Sequence, residues 1–199
     1  MKEKITGVSI QLFEKQGFSE TSIQDICDSL GVTKGTFYYY FKSKEALLMD
    51  IHLRYIDDIL EHQERILSDV NVNYRTKLFQ TVNRLLQSIE QQGASARVFF
   101  REMRHLSEER LPLIIAKRNQ FRVNIETMLR QGVDDGEFRG DLNVRIAAFG
   151  LLGMTNWSYQ WFHPHGELSD REVAQIFVEM LLRGIEHVGA DQTLGGDFR

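Results

Sequence analysis

Lys34, Gly35 and Thr36 stand at the start of a short predicted helix, Lys34 to Phe41, and the combination suits contact with a nucleic acid. Lysine and threonine supply donors for base edges or phosphate oxygens, and a glycine lets the backbone come close. Tyr38, Tyr39 and Tyr40 follow. At about 100° per residue they point three ways, so one is expected to pack inward while the others offer hydroxyls to a phosphate backbone. Thr21, Ser22, Thr33, Lys42 and Lys44 complete the set of expected phosphate contacts. A second constellation is Arg97, Arg101 and Arg104, spaced i, i+4 and i+7, with Val98, Phe99, Phe100 and Met103 beside them. A row of guanidinium groups next to an apolar interior suits a ligand with an anionic head and an apolar tail. The same spacing also fits a solvated face paired with Glu102, Glu108 and Glu109. A third group, Trp157, Tyr159 and Trp161, fits the wall of a ligand tunnel, an interface or a core.

Enzyme chemistry has little to stand on. Glu102-x-x-His105 has the spacing of one di-iron helix motif, but no second copy occurs. His163-Pro-His165 falls in a predicted loop with no third ligand at metal spacing. There is no P-loop, dinucleotide fingerprint, nucleophile elbow or HExxH. Cys27 falls on the inner face of a helix and reads as a small buried hydrophobe. No cofactor is expected.

Helices must position these residues. Ile5, Val8, Leu12 and Phe13 give the first amphipathic helix, ended by Gly17. Thr21-Ser-Ile-Gln24 has the form of a capping box, with Thr21 as the expected cap of a second helix that stops at Gly31. Thr33 caps the third, and Ser43 the fourth, with Glu45 in its first turn. Two short helices joined by a tight glycine-containing turn have the geometry of a helix-turn-helix, with Ile23, Ile26, Val32, Phe37 and Phe41 as its small core. An ordinary helical hairpin has the same spacing. Longer helices are expected over residues 44–67, 74–92, 95–105, 108–131, 144–162 and 170–188, with Ser169-Asp-Arg-Glu172 as a capping box for the last.

Composition agrees with a helical chain. Among 199 residues there are two prolines and one cysteine, which leaves long stretches free to be helical and excludes a disulfide scaffold. Hydrophobic residues make up 42% and charged residues 26%, the balance of a globular protein and not of a disordered one. No apolar segment reads as a signal peptide or a membrane span, so a cytoplasmic location without a membrane partner is expected. Net charge is −4, yet the stretch from Gly31 to Lys44 holds Lys34, Lys42 and Lys44 and no acid, so a small cationic face is compatible with an acidic chain.

The run Thr21-Ser-Ile-Gln-Asp-Ile-Cys-Asp-Ser-Leu-Gly-Val-Thr-Lys-Gly-Thr-Phe-Tyr-Tyr-Tyr-Phe-Lys-Ser-Lys-Glu-Ala-Leu47 closely resembles the DNA-binding domain of the TetR/AcrR family of bacterial repressors. It departs from the family pattern at Cys27 and Leu30, where small alanines are usual, and at Tyr40, where histidine is common. The resemblance implies an all-α, nine-helix architecture: a helix-turn-helix unit over residues 1–47, a ligand-binding and dimerisation domain over 48–190, and a tail over 191–199. It implies a homodimer formed by the last two helices, where Ala147, Ala148, Gly150 and Gly153 and then Val173, Ile176, Phe177, Met180 and Gly184 offer small and apolar surfaces. Two recognition helices would then lie about 34–36 Å apart on double-stranded operator DNA. Thr21, Ser22, Thr33, Lys34, Gly35, Thr36, Tyr38, Tyr39, Tyr40 and Lys44 are the implied DNA-contacting residues.

The segment Gly153-Met-Thr-Asn-Trp-Ser-Tyr-Gln-Trp-Phe-His-Pro-His-Gly-Glu-Leu-Ser169 also resembles the C-terminal signature of family members that respond to acyl-CoA thioesters. This implies a repressor released from its operator by a medium- or long-chain acyl-CoA, with Arg97, Arg101 and Arg104 on the CoA phosphates and Phe100, Trp157 and Trp161 along the acyl tunnel. A repressor answering to drugs or other hydrophobic ligands is the alternative, and an all-helical enzyme a more distant one.

Overall fold

A computed structural model describes residues 1–163 and 166–183. Every regular element among them is helical. Eight α-helices occur in the order α1 (Lys2–Gln16), α2 (Ile23–Leu30), α3 (Lys34–Tyr40), α4 (Lys44–Ser68), α5 (Tyr74–Arg101), α6 (Leu111–Asp134), α7 (Val144–Trp157) and α8 (Asp170–Arg183). Two 3₁₀ turns, Met103–His105 and Ser158–Gln160, extend α5 and α7. Pro164, His165, Gly184, the expected end of the last helix at 188 and the tail lie outside the described residues.

The short helices are set by their caps. Gly17 takes φ +90° and Gly31 the left-handed φ 64°, ψ 35°, each ending a helix as expected. Thr33 and Ser43 accept from the amides of Thr36 and Ala46. The capping box of α2 is displaced by one residue from the expectation: Ser22, not Thr21, is the cap, and Asp25, not Gln24, reaches back to it. Thr21 is instead fully buried, donating its hydroxyl to Gly17 O at 2.8 Å. Ser169 and Glu172 form the expected box before α8.

Eight α-helices replace the nine expected because Gly93 marks a kink and not a break. The backbone leaves helical geometry only at Gln92 (φ −133°, ψ 33°) and α5 resumes beyond it. α6 starts three residues later than expected, with Pro112 in its first turn, where a missing amide costs nothing. The amide of Ser107 is meanwhile held by the Glu45 carboxylate at 2.9 Å. α7 stops at Trp157, short of the expected 162.

The core runs without interruption from Ile5, Phe13, Ile26, Phe37 and Leu47 near the N-terminus to Leu78, Leu86, Ile114, Ile125 and Ala174 in the larger bundle. α4 crosses between the two, burying Leu47, Leu48 and Ile51 at one end and Ile56, Ile59 and Gln63 further along. The expected boundary at residue 47 therefore falls inside a continuous helix. Glu137 closes the other end of the bundle, its two carboxylate oxygens accepting from the amides of Tyr74 and Arg75 at the start of α5. This is an N-terminal cap supplied from 62 and 63 residues away in sequence, and the dipole of α5 favours its charge.

Candidate nucleic-acid interface and ligand cavity

α1, α2, α3 and the start of α4 form the unit that carries the expected DNA contacts. Phe37 and Phe41 fill its interior with Ile26 and Cys27, and burial pushes the Cys27 thiol up from its ordinary pKa. With both phenylalanines inside, no position is left for a tyrosine to pack inward. Tyr38, Tyr39 and Tyr40 are all exposed, Tyr39 at 82%, which corrects the expectation that one of them enters the core. Tyr39 and Tyr40 meet edge to face with centroids 4.9 Å apart. Ser22, Thr33, Lys34, Gly35 and Lys42 are exposed and Thr36 half-exposed. Among the described residues neither Lys34 nor Lys42 forms an ion pair, so both ammonium groups are available to an anion.

Two of the expected phosphate contacts have other work. Thr21 is buried, as above. Lys44 donates its ammonium to the carbonyls of Phe18 and Thr21, both at 2.6 Å, with Ser19 O at 3.4 Å. It also lies 4.3 Å from the centre of the Phe18 ring, and partial burial lowers its pKa. It fastens the α1–α2 turn to the first turn of α4, and its donors point into the protein.

The larger domain encloses a cavity of about 470 Å³ between α4, α5, α6 and α7. Its volume lies in the range of small-molecule sites. Tyr55, Ile56, Ile59, Leu85, Ile89 and Phe99 form the inner wall, and Ile115, Asn119 and Phe149, all exposed, form part of the rim. The Tyr55 hydroxyl is spent on Ser88 at 3.2 Å and its pKa is pushed up to about 12 by burial, so it is a neutral wall group. Thr155 likewise donates to Leu151 O. Phe100 lines the cavity and stacks face to face on Tyr159 at 4.8 Å.

The expected arginines are elsewhere. Arg97 pairs with Glu14 of α1 at 2.8 Å, Arg101 reaches the Glu14 carbonyl at 3.5 Å, and Arg104 lies against His105. The first two face the N-terminal unit, so they join the two parts of the chain. Trp157 and Trp161 do not line the cavity either. They are 63% and 44% exposed, and Trp161 contacts Phe162 and Phe177. The arginines at the cavity are Arg118 and Arg122, one helical turn apart on α6. No sequence signal beyond their i, i+4 spacing singled them out.

A further surface follows from α7. Ile146, Phe149, Gly150, Gly153 and Trp157 recur at helical spacing and are all exposed. A Cβ built on Gly150 or Gly153 meets nothing within 4 Å, so packing within the chain does not require glycine at either place. Ala147 and Ala148, by contrast, are buried within the chain. α8 divides in the same way, Val173 inward and Ile176 and Met180 outward. No helix among the described residues is long and apolar enough to cross a membrane.

Comparison with known proteins agrees with this architecture over about nine-tenths of the chain. Residues 5–51 match the model of the bacterial regulatory proteins of the tetR family, and residues 71–185 match that of the tetracyclin repressor-like C-terminal domain. The HTH-type transcriptional repressor KstR2 of Rhodococcus jostii is 27% identical over 186 residues, covering 92% of this chain and 90% of that protein. The crystal structure of the regulator PfmR from Thermus thermophilus superposes with a TM-score of 0.85 at 30% identity, covering 92% and 99% of the two chains. The structure of AibR in complex with isovaleryl coenzyme A and operator DNA has a TM-score of 0.81 at 25% identity, covering 91% and 97%.

Proposed function

Because the chain belongs to the TetR family of bacterial regulatory proteins, a ligand-responsive repressor that binds operator DNA, we propose that its effector is an acyl-CoA thioester. The carrying observation is the cavity: apolar inside, about 470 Å³, and opening at a rim between α6 and α7. That volume suits an acyl group and is too small for a whole CoA, whose nucleotide would remain outside. Each methylene taken into the cavity contributes roughly 0.8 kcal/mol, which makes acyl size a strong determinant of affinity. AibR, bound to isovaleryl coenzyme A, has the same fold and supports this reading.

The DNA-contacting residues in this proposal are Ser22, Thr33, Lys34, Gly35, Thr36, Tyr38, Tyr39 and Tyr40, with Lys42 added and Lys44 and Thr21 assigned to holding the unit together. The exposed apolar stripe of α7 and the outward face of α8 form a homodimer interface, and the dimer acts in the cytoplasm, where the operator is. The test is release of a labelled duplex, first selected from a random pool by the purified protein. Acyl-CoAs of graded chain length release it, whereas free CoA does not. If unrelated hydrophobic cations release DNA and acyl-CoAs do not, the effector belongs to another class.

A further inference from the structure

The cavity wall contains one charge that nothing among the described residues balances. Arg122 is paired with Glu126 on its own helix. Arg118, one turn earlier and half-buried, has no carboxylate within 4.0 Å among the described residues. Its guanidinium donates a hydrogen bond to the thioether sulfur of Met103 at 3.5 Å, a weak and uncharged acceptor. Beside it are the rings of Phe99 and Phe100, each centroid 5.8 Å away. Burial lowers its pKa and no nearby acid counters that. The other polar groups of the wall are satisfied internally or are neutral: Tyr55 bonds Ser88, Thr155 bonds Leu151, and Asn119 and Asn156 carry no charge. A guanidinium has five donors arranged for planar, bidentate recognition, and an arginine removed from water without a partner costs free energy that an incoming anion recovers.

We propose that Arg118 reads a carboxylate on the effector, so that the acyl group delivered into the cavity carries its own acid at the end remote from the thioester. This rests on the acyl-thioester reading and narrows it from a plain alkyl chain to a dicarboxylic one. Phe99 and Phe100 flank the guanidinium, and Arg118 is itself part of the cavity lining. A chain ending in methyl leaves that charge unpaired, whereas a chain ending in carboxylate completes an ion pair sheltered from water.

Calorimetry and operator release on the full-length protein decide between these. The probes are matched pairs with equal carbon number from five to ten, such as adipoyl-CoA against hexanoyl-CoA, with the corresponding free diacids and monoacids alongside. On the unmodified protein the best dicarboxylic thioester binds at least tenfold tighter than its methyl-ended partner. In Arg118→Met the order reverses, and in Arg118→Lys the preference falls between. Arg118→Met without ligand melts at or above the temperature of the unmodified protein, because an uncompensated charge has been removed, whereas a merely structural arginine would lower it. A methyl-ended thioester binding as tightly as its partner, or an Arg118→Met protein that keeps the preference for the acid, overturns the proposal. If free diacids bind in an Arg118-dependent way and no thioester binds, the acyl-CoA reading fails while Arg118 keeps its role. If neither class depends on Arg118, the proposal fails by itself.

Discussion

Arg97 Nε donates to Glu14 Oε1 at 2.8 Å, so the helix that supplies Phe99 and Phe100 to the cavity also grips the first helix of the DNA-contacting unit. Phe18 and His105 stack nearby with centroids 5.2 Å apart, and Glu45 holds both Ser107 and Arg110. All these contacts join the segment following the Gln92 kink to α1, the turn after it, or the start of α4.

Breaking the Glu14–Arg97 pair should separate coupling from stability. Both side chains are partly exposed, so the pair is worth about 0.2–1 kcal/mol and its loss lowers the melting temperature by only a few degrees. Glu14→Gln is expected to retain effector binding but to reduce the factor by which effector weakens operator affinity. By linkage, the penalty that operator DNA places on effector binding shrinks by the same factor. Equal coupling in Glu14→Gln and the unmodified protein would remove this contact from the route.

The lysines of the N-terminal unit should divide into two kinds. Lys34→Ala and Lys42→Ala each reduce the slope of log affinity against log salt by about one, with little change in stability. Lys44→Met removes the ammonium shared by three carbonyls, so it lowers the melting temperature and weakens DNA binding without the matching loss of salt dependence. A Lys44→Met protein that melts normally and loses one counterion from the slope would restore Lys44 to the phosphate contacts.

His52 gives the protein a stability that depends on pH near neutrality. It is fully buried in α4, donates from Nδ1 to Leu48 O at 2.9 Å, and leaves Nε2 without a hydrogen-bond partner among the described residues. Burial lowers its pKa below the ordinary 6.5, with Arg118 adding slightly and the Leu48 and Phe99 carbonyls and Glu102 opposing. As pH falls past 6.5 the unfolded chain takes up a proton that the folded protein resists, so stability falls with pH from there until the depressed folded value is reached. Denaturation midpoints between pH 5 and 7.5 should fall less steeply in His52→Gln. An unchanged slope would show that other groups carry the dependence.

Gly150 should be neutral for the protomer and decisive for assembly. Its missing side chain faces open space within the chain, and glycine in a helix interior is about 0.5–1 kcal/mol worse than alanine. Gly150→Arg is therefore expected to keep its helical circular dichroism while sedimenting as a monomer and losing tight operator binding. A stable dimer carrying Gly150→Arg would place the interface elsewhere.

The helices and turns of the N-terminal unit were legible from sequence because their signals are local, whereas the burial of Thr21 and the inward donors of Lys44 were not. Gly17, Gly31, Thr33 and Ser43 act on backbone within four residues of themselves, and their types disclose the turn. The cap at Ser22 lies one residue from the expected Thr21 because both are hydroxyl residues, with Gln24 and Asp25 three positions on. The cavity was not legible for the opposite reason. Periodicity placed Arg97 and Arg101 on one side of a helix, but could not say that α1 and not the interior lies against it. Arg118 looks like any surface charge until Phe99, Phe100 and Met103 from α5 and its following turn are brought around it. Its distinguishing property is the carboxylate it lacks, and a missing tertiary partner leaves no trace in a sequence.

The continuity of α4 sets a phase between reading DNA and binding ligand. The helix runs 25 residues from Lys44 to Ser68 with neither glycine nor proline, so nothing in it swivels. At 3.6 residues per turn, one residue inserted midway would rotate the DNA-contacting unit by about 100° relative to the cavity, while seven would bring it back to within about 20°. Exchange of DNA specificity between such regulators is therefore a question of angular alignment: a graft joined within α4 must preserve the residue count modulo the helical repeat, whatever the match of the sequences on either side.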